Sequence, residues 1–207
     1  MRETIRAAGQ SCSAVNLEFI KEYCKEVLMA QIILIAGPPA VGKSTTARAL
    51  ARHFQKSLHI PVDNIREMVV SGVIHPGGIW SQELVEQLSL ARESVTQMSL
   101  TYNRAGFDVV IDDFWDPNSR LTEYRSLFQH PDIRKILLFP SRQTAEERNK
   151  KRSASGDASE YIADGIRAVY EHLNEDAARL ELEGWIIADT TDRTLEATVE
   201  HILSQIK

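Results

Sequence analysis

Cysteine is scarce in this chain: two in 207 residues, Cys12 and Cys24, both ahead of residue 30. Neither forms a Cys-x-x-Cys pair, and no His/Cys cluster has metal-ligand spacing. That excludes a disulfide framework and a structural zinc site, and leaves two reduced thiols. Long apolar runs are missing too. The run from Ile32 to Ala36 falls far short of the roughly 20 residues that a membrane-spanning helix requires. Before it, Glu18, Lys21, Glu22, Lys25 and Glu26 break up any apolar core, so residues 1–30 do not read as a secretory leader and the expected location is the cytoplasm. Positive charge is not in excess: 24 Lys and Arg against 29 Asp and Glu give a net charge of −5. Without a basic stripe interleaved with aromatics, neither nucleic acid nor an anionic membrane is an expected partner. No internal repeat or low-complexity tract divides the chain.

What is there is organised around Gly37-Pro38-Pro39-Ala40-Val41-Gly42-Lys43-Ser44-Thr45, which fits Gly-x-x-x-x-Gly-Lys-Ser/Thr at every fixed position. The context is right as well. Gln31 to Ala36 is a β-branched apolar run that reads as a buried strand, and Thr45 to Phe54 carries Ala47, Leu50, Ala51 and Phe54 at helical spacing. A polyphosphate needs several backbone N–H groups converging on it, which a loop curled over a helix N-terminus supplies. Lys43 then serves the β- and γ-phosphates, and the Ser44 hydroxyl is placed to ligate Mg²⁺. ATP and Mg²⁺ are the expected cofactors.

Along the chain, strands alternate with helices. Residues 1–28 form an extension in which Leu17, Ile20, Cys24 and Val27 recur at helical spacing. This extension reads equally as an accessory helix, as a homodimerisation element or as a consequence of start-site choice. Strands are expected at 57–62, 106–111, 133–139 and 185–188. Helices are expected over 64–70, 81–104, 144–153, 162–181 and 195–206, with a further helix opened by Pro117. Alternation of this kind implies a parallel sheet covered on both faces, with ligands at the carboxyl ends of its strands.

Several residues at those ends carry chemistry. Asp63 closes the second strand, where a carboxylate suits orienting and deprotonating an acceptor hydroxyl; the plainer reading is a helix N-cap. Arg66, one turn later, is a candidate for an anionic group on the acceptor. Asp112 follows the third strand at the position that holds Mg²⁺ or its water shell. Asp113 stands where many motor ATPases carry a glutamate that activates water, which favours transfer to a hydroxyl over hydrolysis and puts Asp113 on the acceptor side. Arg148 and Arg152 share a helix face beside the Ser-Ala-Ser-Gly-Asp break, as a lid over roughly 148–165 would require. Trp80, Trp115 and His75 are candidates for an acceptor pocket.

Together, the phosphate loop, Val62-Asp63, Val110-Ile111-Asp112-Asp113, the Arg148/Arg152 helix and Asp189-Thr190-Thr191 resemble a P-loop small-molecule kinase. The resemblance is to chloramphenicol phosphotransferase-like enzymes and the zeta-toxin and polynucleotide-kinase neighbourhood, from about Met29 to the C-terminus. It implies a three-layer α/β/α fold, a five-stranded parallel sheet in the order 2-3-1-4-5, Asp63 as base, and adenine near Arg148, Thr190 and Thr191. Shikimate-kinase-like enzymes carry a second aspartate two residues before the base; here that residue is Pro61, which throws the metal role onto Asp112. The expected activity is ATP-dependent phosphorylation of a hydroxyl on a small molecule. The alternatives are a nucleoside-monophosphate or polynucleotide 5′-hydroxyl kinase, and an ATP-dependent switch with slow hydrolysis. A GTPase switch is disfavoured, since no Asp-x-x-Gly occurs and the near match to Asn-Lys-x-Asp ends in Arg152.

Because the strand–loop–helix unit begins after Met29, a chain starting there is expected to fold and to bind ATP–Mg²⁺ as the full chain does. Calorimetric titration checks this: a tenfold weaker affinity, about 1.4 kcal/mol, in a folded truncation refutes it.

Overall fold

Short apolar runs become strands here because they are too brief to form a helix, and the central one is buried on both faces. In the computed structural model, which describes residues 30–75, 80–154 and 161–206, they are β1 (Ile32–Ala36), β2 (Ser57–Pro61), β3 (Asp108–Asp112), β4 (Ile133–Leu138) and β5 (Trp185–Ala188). All pairings are parallel and the order is β2-β3-β1-β4-β5, as expected. Every residue of β1 is buried, with β3 on one side and β4 on the other.

The period-2 alternation of β1 divides the core into two layers. Ile32, Leu34 and Ala36 face Ala91 and Val95 of α3 (Gln82–Arg104), Leu127 of α4 (Arg125–Phe128) and Leu173 of α6 (Tyr161–Leu182). Ile33 and Ile35 face Ala47 and Leu50 of α1 (Lys43–Ala51), Ala145 of α5 (Arg142–Ala154) and Ile202 of α7 (Leu195–Gln205). The remaining helix, α2 (Val62–Arg66), is a single turn following β2.

Several local expectations shift. The helix read over 64–70 begins earlier and ends at Arg66, so Asp63 lies inside its first turn; Pro61 stands at the cap position, with no side-chain cap. No helix opens at Pro117. Asp116 Oδ1 instead accepts the backbone N–H groups of Asn118 and Ser119, at 2.8 and 3.3 Å, and Arg120 and Leu121 turn left-handed before a 3₁₀ turn at Thr122–Tyr124. The aspartate's local hydrogen bonds outcompete the helix start that the proline offered. The long helix α3 is capped by Ser81, whose hydroxyl accepts the Leu84 N–H at 3.2 Å. The helix read in residues 1–28, and residues 155–160 of the lid segment, lie outside the described residues.

Gly37 marks where the end of β4 passes closest to the loop. A Cβ there would stand 2.5 Å from the Leu138 carbonyl oxygen, and backbone cannot yield as a side-chain tip does. Gly37→Ala is expected to cost about 1–3 kcal/mol of stability, read from the urea midpoint at constant slope. An unchanged midpoint would show that the two strand ends separate freely.

Candidate active site

The phosphate loop leaves β1 and enters α1 through Ala40 and Gly42, both left-handed at φ 62° and 93°. Gly42 caps α1 without a side chain, and no acidic residue sits in the helix's first turn, so its positive end faces the loop without local neutralisation. Lys43 Nζ folds back to donate to the Pro38 carbonyl at 2.8 Å. Burial lowers the pKa of its ammonium, and Asp63, Asp112 and Asp113 pull it back up. Val41 is buried in the core, whereas Pro39, Ala40, Gly42, Lys43, Ser44 and Thr45 line the mouth of a cavity of about 1070 Å³.

Asp112 arrives beside this loop because β3 pairs with β1 in the register Ile35↔Asp112. Its Oδ1 accepts from the Ser44 hydroxyl at 2.6 Å. A hydroxyl and a carboxylate, both hard oxygen donors side by side, fit Mg²⁺, which keeps most of its waters and takes few protein ligands. Among the described residues no group of three or more His, Cys, Asp or Glu side chains is placed to hold a metal. The other carboxylate oxygen lies 2.6 Å from His59 Nε2 on β2. The sequence reading did not include His59. Its only signal is the strand register, which puts Pro61 beside Asp112 and His59 two residues back on the same face.

Asp63 presents its carboxylate to the cavity at 66% exposure and accepts from Arg66 Nη1 at 2.9 Å. Arg66 is itself buried and spends its other terminal nitrogen on the Ile74 carbonyl at 3.2 Å. It therefore orients Asp63 rather than projecting charge toward an anionic acceptor.

Two further expectations are corrected. The Asp113 carboxylate is fully buried: Oδ2 accepts from Arg92 Nε at 2.8 Å and the Tyr124 hydroxyl at 3.1 Å, and Oδ1 from the Phe114 N–H at 2.8 Å. With both oxygens engaged, it borders the acceptor side without presenting a carboxylate to it. Trp115 borders the cavity, but it donates its backbone N–H to the Gly37 carbonyl at 2.9 Å and its buried ring packs edge-on against Trp185, centroids 5.5 Å apart. In its place Phe114 and Trp80 meet at the cavity wall, centroids 6.3 Å apart. Arg92 was also missed, although a charged residue between Leu88 and Val95 on the apolar stripe of α3 was its signal. It gathers Asp113, Asp116 at 3.1 Å and Glu123 at 2.9 Å.

Arg148 and Arg152 both line the cavity, and Arg152 acts on the Lys43 ammonium. Arg148 donates to the Val41 carbonyl at 3.1 Å and the Thr190 carbonyl at 2.9 Å, tying the phosphate loop to the segment after β5. Of the hydroxyls expected near adenine, that of Thr190 belongs to a buried residue, and Thr191 Oγ1, nearer the surface, donates to Asp189 at 2.6 Å while accepting the Ser141 N–H at 2.7 Å. These bonds from Thr191 hold the Asp189 carboxyl below the usual range.

A phosphate loop over a helix N-terminus, with Ser44 hydrogen-bonded to Asp112 beside it, and a 2-3-1-4-5 parallel sheet define a P-loop nucleotide-binding protein with the kinase-type strand order. The chain belongs to the AAA domain family, whose model matches residues 32–182. No curated protein matches its sequence. Solved structures share the fold at low identity. A sugar kinase from Janibacter sp. is 16% identical over 84% of this chain and 93% of its own, with a TM-score of 0.60. Shikimate kinase from Acinetobacter baumannii is 16% identical over 88% and 96%, also at 0.60. A gluconokinase from Sinorhizobium meliloti is 16% identical over 86% and 92%, at 0.57. Among the described residues no helix is long and apolar enough to cross a membrane.

Arg148 is more than a surface charge, because its removal strands two backbone carbonyls. Arg148→Ala is expected to lower stability by about 1–3 kcal/mol and to weaken ATP binding. Chemical denaturation and calorimetric titration of the same variant check both; a stable variant with unaltered affinity would reduce Arg148 to a surface charge.

Proposed function

We propose that this protein is an ATP-dependent phosphotransferase acting on the hydroxyl of a small-molecule acceptor. One observation carries the reading: a single cavity is lined both by the phosphate loop and by the exposed Asp63 carboxylate, whose charge acts on the Lys43 ammonium. A switch or slow ATPase has no use for an exposed carboxylate and an aromatic pair, Trp80 and Phe114, in the cavity of the phosphate loop.

In this reading the loop amides and Lys43 hold the β- and γ-phosphates of ATP. Ser44 and Asp112 would hold Mg²⁺, which neutralises phosphate charge when bound. Asp63, held by Arg66, orients the acceptor hydroxyl and takes its proton as the oxygen bonds to the γ-phosphorus. The bond from that phosphorus to the β–γ bridging oxygen breaks and ADP leaves. Lys43 and Arg152 face the charge that develops on the transferring group.

Asp63→Asn keeps the shape and leaves the ATP end intact, so ATP affinity is expected to hold while acceptor-dependent ADP release falls about 100-fold or more. Lys43→Ala is expected to lose both. ATP titration beside coupled ADP-release assays separates the two variants. An Asp63→Asn enzyme with wild-type turnover would remove Asp63 as the base.

A further inference from the structure

Resting on the reading that Ser44 and Asp112 hold Mg²⁺, we propose that His59 is a positioning residue: it confines Asp112 to a single free oxygen and so sets a preference for Mg²⁺ over Ca²⁺. His59 lies on β2, and its Nε2 stands 2.6 Å from Asp112 Oδ2. A carboxylate only accepts, so Nε2 carries the hydrogen of this bond, in the neutral and the protonated ring alike. Ser44 holds the opposite oxygen, Oδ1, also at 2.6 Å. Both oxygens are thus claimed, but by unlike partners. Ser44 belongs to the phosphate loop and would leave Oδ1 for the metal. His59 belongs to a strand paired to β3 in the register His59↔Val110 and Pro61↔Asp112, so the sheet keeps it in place. The two side chains are 13% and 6% exposed, and water hardly contests a bond so enclosed. Asp112 lines the cavity, whereas His59 is not among the described residues that do. The imidazole therefore acts through Asp112 rather than on a ligand.

Mg²⁺ and Ca²⁺ make different demands on a carboxylate. Mg²⁺ is small, insists on near-octahedral geometry and keeps several waters, so the narrow bite of a two-oxygen carboxylate does not suit it. Ca²⁺ takes about six to eight oxygens in looser geometry and readily accepts both from one carboxylate. An Asp112 pinned at Oδ2 has one oxygen to give, which suits the first ion and handicaps the second. Released from His59, the carboxylate turns about its terminal torsion, where the wells are broad, and offers both. Partners behind a ligating group of this kind typically govern metal affinity by about 10- to 100-fold.

The test is calorimetric titration of ATP into the full chain, in chelator, in excess Mg²⁺ and in excess Ca²⁺. The quantity read is the factor by which each metal tightens ATP binding; metal binding by ATP in solution cancels between variants. In the unaltered chain the Mg²⁺ factor should exceed the Ca²⁺ factor. His59→Phe keeps a ring on the strand but donates nothing, and its Mg²⁺-to-Ca²⁺ ratio should fall about tenfold or more, with ATP affinity in chelator held. His59→Ala removes the donor by another route and should match it, so either variant decides if the other does not fold. His59→Gln supplies an amide N–H near the place of Nε2 and should keep the ratio. A ratio unchanged in His59→Phe or His59→Ala, an equal loss for both metals, or a glutamine that fares no better than phenylalanine overturns the inference and leaves the kinase reading standing. So does a Ca²⁺ factor as large as that of Mg²⁺ in the unaltered chain. If neither metal tightens ATP binding there, the assignment of Ser44 and Asp112 to the metal falls with it.

Discussion

Arg92 is the interaction on which the walls of the site depend. Its guanidinium is fully buried and meets Asp113, Asp116 and Glu123, with Phe114 alongside. Burying such a group costs several kcal/mol, and only directed hydrogen bonds from several partners offset it. Those partners all lie on the stretch between β3 and α4. One side chain of α3 therefore fixes the path of a segment with hardly any regular structure of its own, the segment that brings Phe114 to the cavity and sends Trp115 into the core. An apolar residue at position 92 would leave those carboxylates without the Arg92 counter-charge, with only the neutral donors from Tyr124, Phe114, Asn118 and Ser119 on Asp113 and Asp116.

Adjacent carboxylates at the end of β3 show how the sheet divides labour. Asp112 turns toward Ser44 and His59, on the phosphate side; Asp113 turns toward Arg92 and Tyr124, on the side of α3. Successive residues of an extended chain point to opposite faces, so one belongs to the chemistry and the other to the frame. The frame still reaches the chemistry, because the Asp113 N–H donates to the Ile35 carbonyl and Trp115 N–H to Gly37. These two bonds extend the β1–β3 ladder into the phosphate loop, so the position of Asp112 and the curvature of the loop are set together.

Much of this was legible in the sequence, for reasons that differ by residue. The phosphate loop is read from local requirements alone: glycines where the backbone turns, a lysine, a hydroxyl. The central strand is read because burial on both faces leaves an uninterrupted apolar run, and the order 2-3-1-4-5 came with the family resemblance. Pairings between distant positions were not legible. His59 meets Asp112 across 53 residues and Arg92 meets Glu123 across 31, and nothing local to either histidine or arginine names its partner. The turn at Pro117 misled because proline at a helix start and proline in a turn look alike until Asp116 is known to claim the following N–H groups. Arg66 was visible as a charge, but only the fold shows that Asp63 and Ile74 take two of its three nitrogens.

Polar groups in the phosphate end are already satisfied by the protein, and this shapes what nucleotide binding must do. Lys43 donates to the Pro38 carbonyl, Ser44 to Asp112, and Arg148 to two carbonyls. A phosphate oxygen competes with Pro38 for Lys43 and gains the charge-assisted bond that the neutral carbonyl does not match. Ser44 and Asp112 would exchange their mutual hydrogen bond for Mg²⁺ if they hold it, as proposed above. Arg148 has no such exchange to make, since Val41 and Thr190 belong to the frame. The cations of the site thus separate by partner: those bound to groups that a ligand outbids are the ones free to respond to it, and those bound to the backbone hold the shape against which they move.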